Sequence, residues 1–98
     1  MNYKLNIFAD AIEDIKEIKK YLARFYPGTV KKFVDLYKKQ TSRVKENPCI
    51  FERFADDPEY RKAAAGEYLI FYMVSEEKKT VEIHRVLYGA RDIKRHLS

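Results

Sequence analysis

Six side chains late in the chain are of types that act on a phosphodiester: Arg61, His84, Arg85, Tyr88, Arg91 and His96. RNA carries its own nucleophile, the 2′-hydroxyl. A metal-free ribonuclease therefore needs cations to neutralise the dianionic phosphorane and an acid to protonate the leaving oxygen. Arg61, Arg91 and Tyr88 have the chemistry for such a catalytic set. No P-loop, GxGxxG, HExxH or GxSxG pattern occurs, and no Ser/His/Asp set is visible. Cys49 is the single cysteine, and with only two histidines beside it neither an internal disulfide nor a zinc site is expected. No metal and no cofactor is implied.

The last apolar run, TVEIHRVLY over residues 80–88, reads as a strand that would carry three of these groups. Strict alternation puts Val81, Ile83, Arg85 and Leu87 on one face and Glu82, His84, Val86 and Tyr88 on the other. Arg85 then lies among apolar neighbours. It either stretches its stem along the core to pair with a carboxylate, or holds a phosphate. His84 and Tyr88 are four apart, roughly 13 Å along a strand, too far to share one proton. His84 reads as a packed or exposed residue rather than a general base.

Net charge is +5, and the excess is uneven. Residues 1–49 hold 11 bases against 6 acids, whereas residues 50–98 hold 9 of each. Most of the surplus is Lys31, Lys32, Lys38, Lys39, Arg43 and Lys45, opposed by Asp35 and Glu46. Arg85, Arg91, Lys94 and Arg95 form a second group with Asp92 as its acid. Such runs are either solvated helix faces or surfaces for an anionic partner, nucleic acid or an acidic protein segment.

The elements that must position these groups follow from periodicity. Tyr3, Leu5 and Ile7 alternate with polar residues, as a half-buried strand over 2–8 requires. Ile12, Ile15, Ile18, Leu22 and Phe25 then recur at helical steps, with Asp10 as N-cap and Glu13 completing a capping box. Pro27-Gly28 stops this helix and Thr29 can cap a second, whose stripe is Val30, Phe33, Val34, Tyr37, Thr41 and Val44. Asn47-Pro48 ends it. So short a break folds the two helices into a hairpin, with the lysines on an outer ridge. Residues 49–59 read as a loop with Phe51 and Phe54 as apolar pegs. Strands follow at 60–65, at 68–74 (YLIFYMV, apolar on both faces like a central strand) and at 80–88, and residues 90–97 leave room for two turns of helix. The order is β-αα-βββ-α: an α+β fold in which an antiparallel sheet packs against a helical hairpin.

Length bounds the rest. A chain of 98 residues that is 46% hydrophobic buries about 65% of its extended surface on folding, which suits one domain over residues 1–98. No apolar run approaches the ~18 residues of a membrane span, and the N-terminus has no basic-then-apolar signal pattern. No membrane partner is expected, and a cytoplasmic protein is.

The segments DPEYR (ending at Arg61), GEYLIFYMV (66–74) and VEIHRVLYGARDIKRHL (81–97) resemble the C-terminal half of the RelE/ParE superfamily of bacterial toxins. DAIEDIKEIKKYLARFYP is similar to that family's first helix, so the resemblance spans essentially the whole chain. It implies the β-αα-βββ fold and a type II toxin–antitoxin system, of the kind that stabilises plasmids. It also implies an acidic antitoxin, for which Lys31, Lys38 and Lys39 are the expected contacts.

The superfamily divides by target. RelE-type members cut mRNA on the ribosome, without a metal. By position Arg61 and Arg91 match two of their basic sites, but the arginine that follows the central-strand tyrosine in those nucleases is Leu69 here. Many relatives also carry His where this chain has Tyr88, and a phenol is a poor base near neutral pH. ParE-type members poison DNA gyrase, and YLIFY with RVLYGARD is more similar to that branch. The expectation is a growth-inhibiting gyrase poison whose segment 85–97 touches the target through Arg85, Arg91, Lys94 and Arg95. The alternatives are a ribosome-dependent mRNA endonuclease using Arg61, Arg91 and Tyr88, and an inactive remnant or basic nucleic-acid-binding module.

Overall fold

The computed structural model describes residues 3–89. Its elements in chain order are β1 (Lys4–Ile7), α1 (Ala9–Phe25), a short 3-10 turn (Pro27–Thr29), α2 (Val30–Glu46), β2 (Arg61–Ala65), β3 (Tyr68–Ser75) and β4 (Thr80–Tyr88). The helix expected over 90–97 lies outside the described residues.

The strands lie in the order β1-β4-β3-β2. β2, β3 and β4 form the antiparallel meander, while β1 joins the sheet parallel to β4, with Leu5 beside Val81 and Ile7 beside Ile83. The sheet is therefore mixed. A parallel neighbour cannot be reached by a tight turn, and the helical hairpin is part of the long crossover that makes this pairing possible.

Both helices cover one face. Ala11, Ile18 and Leu22 of α1 and Phe33 and Val44 of α2 pack on Ala63, Ala65, Ile70, Tyr72, Val81, Ile83 and Val86. The stripe read for α2 is buried or half-buried throughout. That of α1 is shorter than its period implies: Ile12 is 44% exposed and Phe25 55%. The opposite face carries a smaller cluster of Phe54, Tyr60, Phe71 and Leu87, flanked by Leu69 and Met73. β3 thus contributes to both clusters, which is why its sequence is apolar on both faces.

Two expected caps are absent. Phe8, not Asp10, precedes the first turn of α1 and makes no side-chain cap; Asp10 lies inside that turn. Thr29 does precede α2, but its Oγ1 donates backwards to the Tyr26 carbonyl at 2.7 Å. Gly66 turns β2 into β3 with φ +65°, a left-handed conformation that favours glycine.

Candidate functional site

β4 does not alternate strictly. Phe71 pairs with Arg85 but Tyr72 pairs with Ile83, so His84 is an extra residue in a β-bulge. The extra residue reverses the parity beyond it. Val86 joins Val81 and Ile83 under the helices, and Leu87 joins Phe71 on the far face. The alternation read from sequence holds only up to Ile83.

The bulge gives His84 a built environment. Phe8 stacks on its ring with centroids 4.2 Å apart, and Tyr60 meets it edge-on at 5.3 Å. The Tyr60 hydroxyl lies 3.4 Å from Nδ1, and Glu82 Oε1 lies 3.3 Å from Nε2. With the phenol donating to Nδ1, Nε2–H donates to the carboxylate. Burial raises the Tyr60 pKa, aided by Asp57 and Glu59 and opposed by Arg85, so the phenol stays protonated at neutral pH. His84 is a packed residue. Its i,i+2 carboxylate was legible in the strand; Tyr60 was not, because it arrives from the loop before β2.

Arg85 takes the structural option. Its Nε donates to Asp14 Oδ2 at 2.7 Å and its Nη2 to Oδ1 at 2.9 Å, a two-pronged pair with side chains 23% and 15% exposed. The same Oδ2 accepts the Val86 N–H at 3.0 Å. β1 pairs only with residues 80–83, so this carboxylate serves the β4 backbone where its strand neighbour has ended. Donating these hydrogen bonds to Asp14 raises the Arg85 pKa further. The guanidinium expected to meet a target is thus engaged by Asp14 within the chain. Arg91, Lys94 and Arg95 lie outside the described residues.

Arg61 and Tyr88 are not brought together. Tyr88 stands in one row with Tyr68 and Ala65, whereas Arg61 lies four residues away at the other end of β2. They are separated by about 13 Å along the strands and about 9.5 Å across them. Arg61 pairs with Tyr72, and its Nη1 donates to the Phe51 carbonyl at 2.8 Å, anchoring the loop. Tyr88 is half-exposed, with its ring edge-on to Tyr68. Leu69, in the place of the nucleases' arginine, packs beside the Phe71–Leu87 cluster.

The basic ridge forms as expected. At 100° per residue the core stripe of α2 occupies one side; Lys32, Lys39 and Arg43 lie on the opposite arc, Lys31 and Lys38 on its flank, and half-buried Lys45 borders the stripe. Lys31 donates to Asp35 at 2.9 Å, one turn on, and this contact raises its pKa. Lys31, Lys32, Asp35, Leu36, Lys39 and Gly28 line an open groove of about 410 Å³. Lys31 and Lys32 oppose the helix dipole in a first turn that holds no acid. Among the described residues no three His, Cys, Asp or Glu side chains lie together as a metal site would need, and no helix is long and apolar enough to cross a membrane.

This fold, with its polar fork and basic ridge, is that of a known class. Residues 6–93 match the family described as the ParE toxin of type II toxin–antitoxin systems, and the chain belongs to that family. Solved structures share the fold at low identity. The toxin of the chromosomal ParDE system from P. aeruginosa is 17% identical, with a TM-score of 0.73 over 88% of this chain and 95% of that one. The intact E. coli RelBE toxin–antitoxin complex is 24% identical, with a TM-score of 0.64 over 91% and 99%. The archaeal RelE–RelB complex from Pyrococcus horikoshii is 15% identical, with a TM-score of 0.58 over 93% and 99%. No curated protein sequence is similar enough to this chain to count as a match.

Proposed function

We infer that this family member inhibits growth in the cytoplasm by poisoning DNA gyrase, and that a cognate acidic antitoxin neutralises it. The observation that carries the gyrase reading is Leu69. An apolar side chain packed beside Phe71 and Leu87 offers nothing to a phosphate at the position where the similar nucleases need a cation. The separation of Arg61 from Tyr88 points the same way. Arg91, Lys94 and Arg95 are the cations assigned to the target, and Lys31, Lys38 and Lys39 those assigned to the antitoxin. The neighbouring structures that are toxin–antitoxin complexes support such a partner.

The test is supercoiling by purified gyrase with micromolar toxin. Expected are loss of supercoiling and accumulation of cleaved DNA, both reversed by Arg91→Ala or by the antitoxin. Untouched gyrase, together with mRNA cut at the ribosomal A site in a toeprint assay, would establish the nuclease reading instead.

A further inference from the structure

Phe25 belongs by period to the buried stripe of α1, yet it is 55% exposed, and Tyr21 and Tyr26 are 50% and 56% exposed. The three rings cluster: Tyr21 lies 5.0 Å from Phe25 and 6.2 Å from Tyr26, centroid to centroid. The Arg24 guanidinium sits 5.3 Å over the Phe25 ring. The nearby charge is mostly positive. Between residues 17 and 36 stand Lys19, Lys20, Arg24, Lys31 and Lys32 against two acids: Glu17, one turn before Tyr21, and Asp35, which Lys31 already engages. The basic groove on α2 begins at Gly28, two residues after Tyr26. Open rings beside a cationic track are the two components of sequence-tolerant recognition of unpaired bases: stacking and phosphate neutralisation.

We propose that the tip of the helical hairpin binds single-stranded nucleic acid. Bases stack on Phe25 and Tyr26, and the backbone follows Lys31, Lys32 and Lys39 along the groove. An acidic amphipathic helix fits the tip less well, because it has no planar group to stack on the rings and Leu36 is the single aliphatic residue lining the groove. A second copy of the chain would set two cationic tips against each other. A duplex keeps its bases stacked internally and has no use for the rings. The inference goes beyond the target reading above and does not depend on it; because it shares Lys31 and Lys39 with the proposed antitoxin contact, nucleic acid and antitoxin would compete for this ridge.

The test is fluorescence anisotropy of labelled 12-nucleotide oligo(dT) and oligo(U) with the purified full chain, at salt from 50 to 200 mM. With three phosphates neutralised, log affinity should fall against log salt with a slope of about −2. Phe25→Ala with Tyr26→Ala should weaken binding about tenfold or more and leave that slope unchanged. Lys31→Gln with Lys32→Gln should flatten the slope by about 1.4. All four side chains are exposed, and circular dichroism of each variant should match that of the parent chain. Three outcomes would overturn the proposal: no binding at 50 mM salt; binding that ignores the ring substitutions or is equalled by a 12-base-pair duplex; or a Glu/Leu amphipathic peptide that needs the rings when the oligonucleotides do not. Gyrase is absent from the assay, so its outcome is read separately from the supercoiling test.

Discussion

Asp14 and Arg85, 71 residues apart in sequence, form a two-pronged ion pair that fastens α1 to β4. One oxygen of the same carboxylate also holds the Val86 N–H, where β4 runs on past its strand neighbour. Asp14 thus combines two roles, counter-ion to a largely buried cation and substitute for a missing strand. The end of β4, from which Arg91, Lys94 and Arg95 follow in sequence, is tied to the helical layer by this side chain as well as by the packing of Val86.

Removing that carboxylate takes the two-pronged counter-ion from a partly buried guanidinium. Asp14→Ala should cost about 3 kcal/mol, since breaking one side of a buried pair is worse than never having had it. Asp14→Asn should cost less, because its amide oxygen still accepts from Val86. Urea denaturation midpoints measure both. Equal losses in the two variants would show that the charge, and not the backbone contact, carries the effect.

Tyr72 is fully buried and donates to the Pro48 carbonyl at 2.8 Å, tying the loop after α2 to the middle of the sheet. Tyr72→Phe should lose about 1–3 kcal/mol, chiefly by stranding that carbonyl. Burial also raises the Tyr72 pKa to about 12. A folded value above the unfolded one means that this tyrosine favours the fold below pH 10 and that the advantage fades as pH rises toward 12. Phenolate absorbance titrated in the folded protein should show a late-ionising tyrosine that the Phe variant lacks.

Glu76 accepts from the Tyr3 hydroxyl at 2.8 Å and from Lys79 at 3.2 Å, joining the segment before β1 to the β3–β4 turn. The Tyr3 hydrogen bond, followed by that of Lys79, lowers its pKa below 4.5. The contribution to stability is then complete above pH 4.5 and disappears as pH falls through the lowered value. A carboxyl titration by NMR should place the Glu76 midpoint below 4.5. A Glu76 midpoint at or above 4.5 would deny the contact.

Lys38 and Lys39 lie exposed on the outer arc of α2. If the antitoxin approaches along this ridge, Lys38→Glu with Lys39→Glu should slow association about tenfold or more at low salt and change dissociation much less, as steering charges do. Stopped-flow mixing at two ionic strengths measures this. An unchanged association rate at low salt would move the contact elsewhere.

Much of the architecture was legible because its causes are local. A period of 3.6 with Pro27-Gly28 and Asn47-Pro48 as breaks delimits two helices, and β4 begins and ends where its residue pattern does. The apolar stretch in β3 announced a strand covered on both sides. The site was less legible. Arg85 looked available because its partner, on a helix far away in sequence, has no periodic signature. Phe25 looked buried because period alone does not tell which turns of α1 find a partner; here the last one does not cover it.

From its own sequence this chain determined its helices, its strands and the ridge of lysines, since each follows from neighbours a few residues apart. Three things waited for the tertiary structure. β1 lies beside β4, one extra residue at His84 swaps the faces of Val86 and Leu87, and Asp14 meets Arg85. All three depend on strand register and on long-range packing, which are set by how distant segments fit together and leave no mark in the local order of residues.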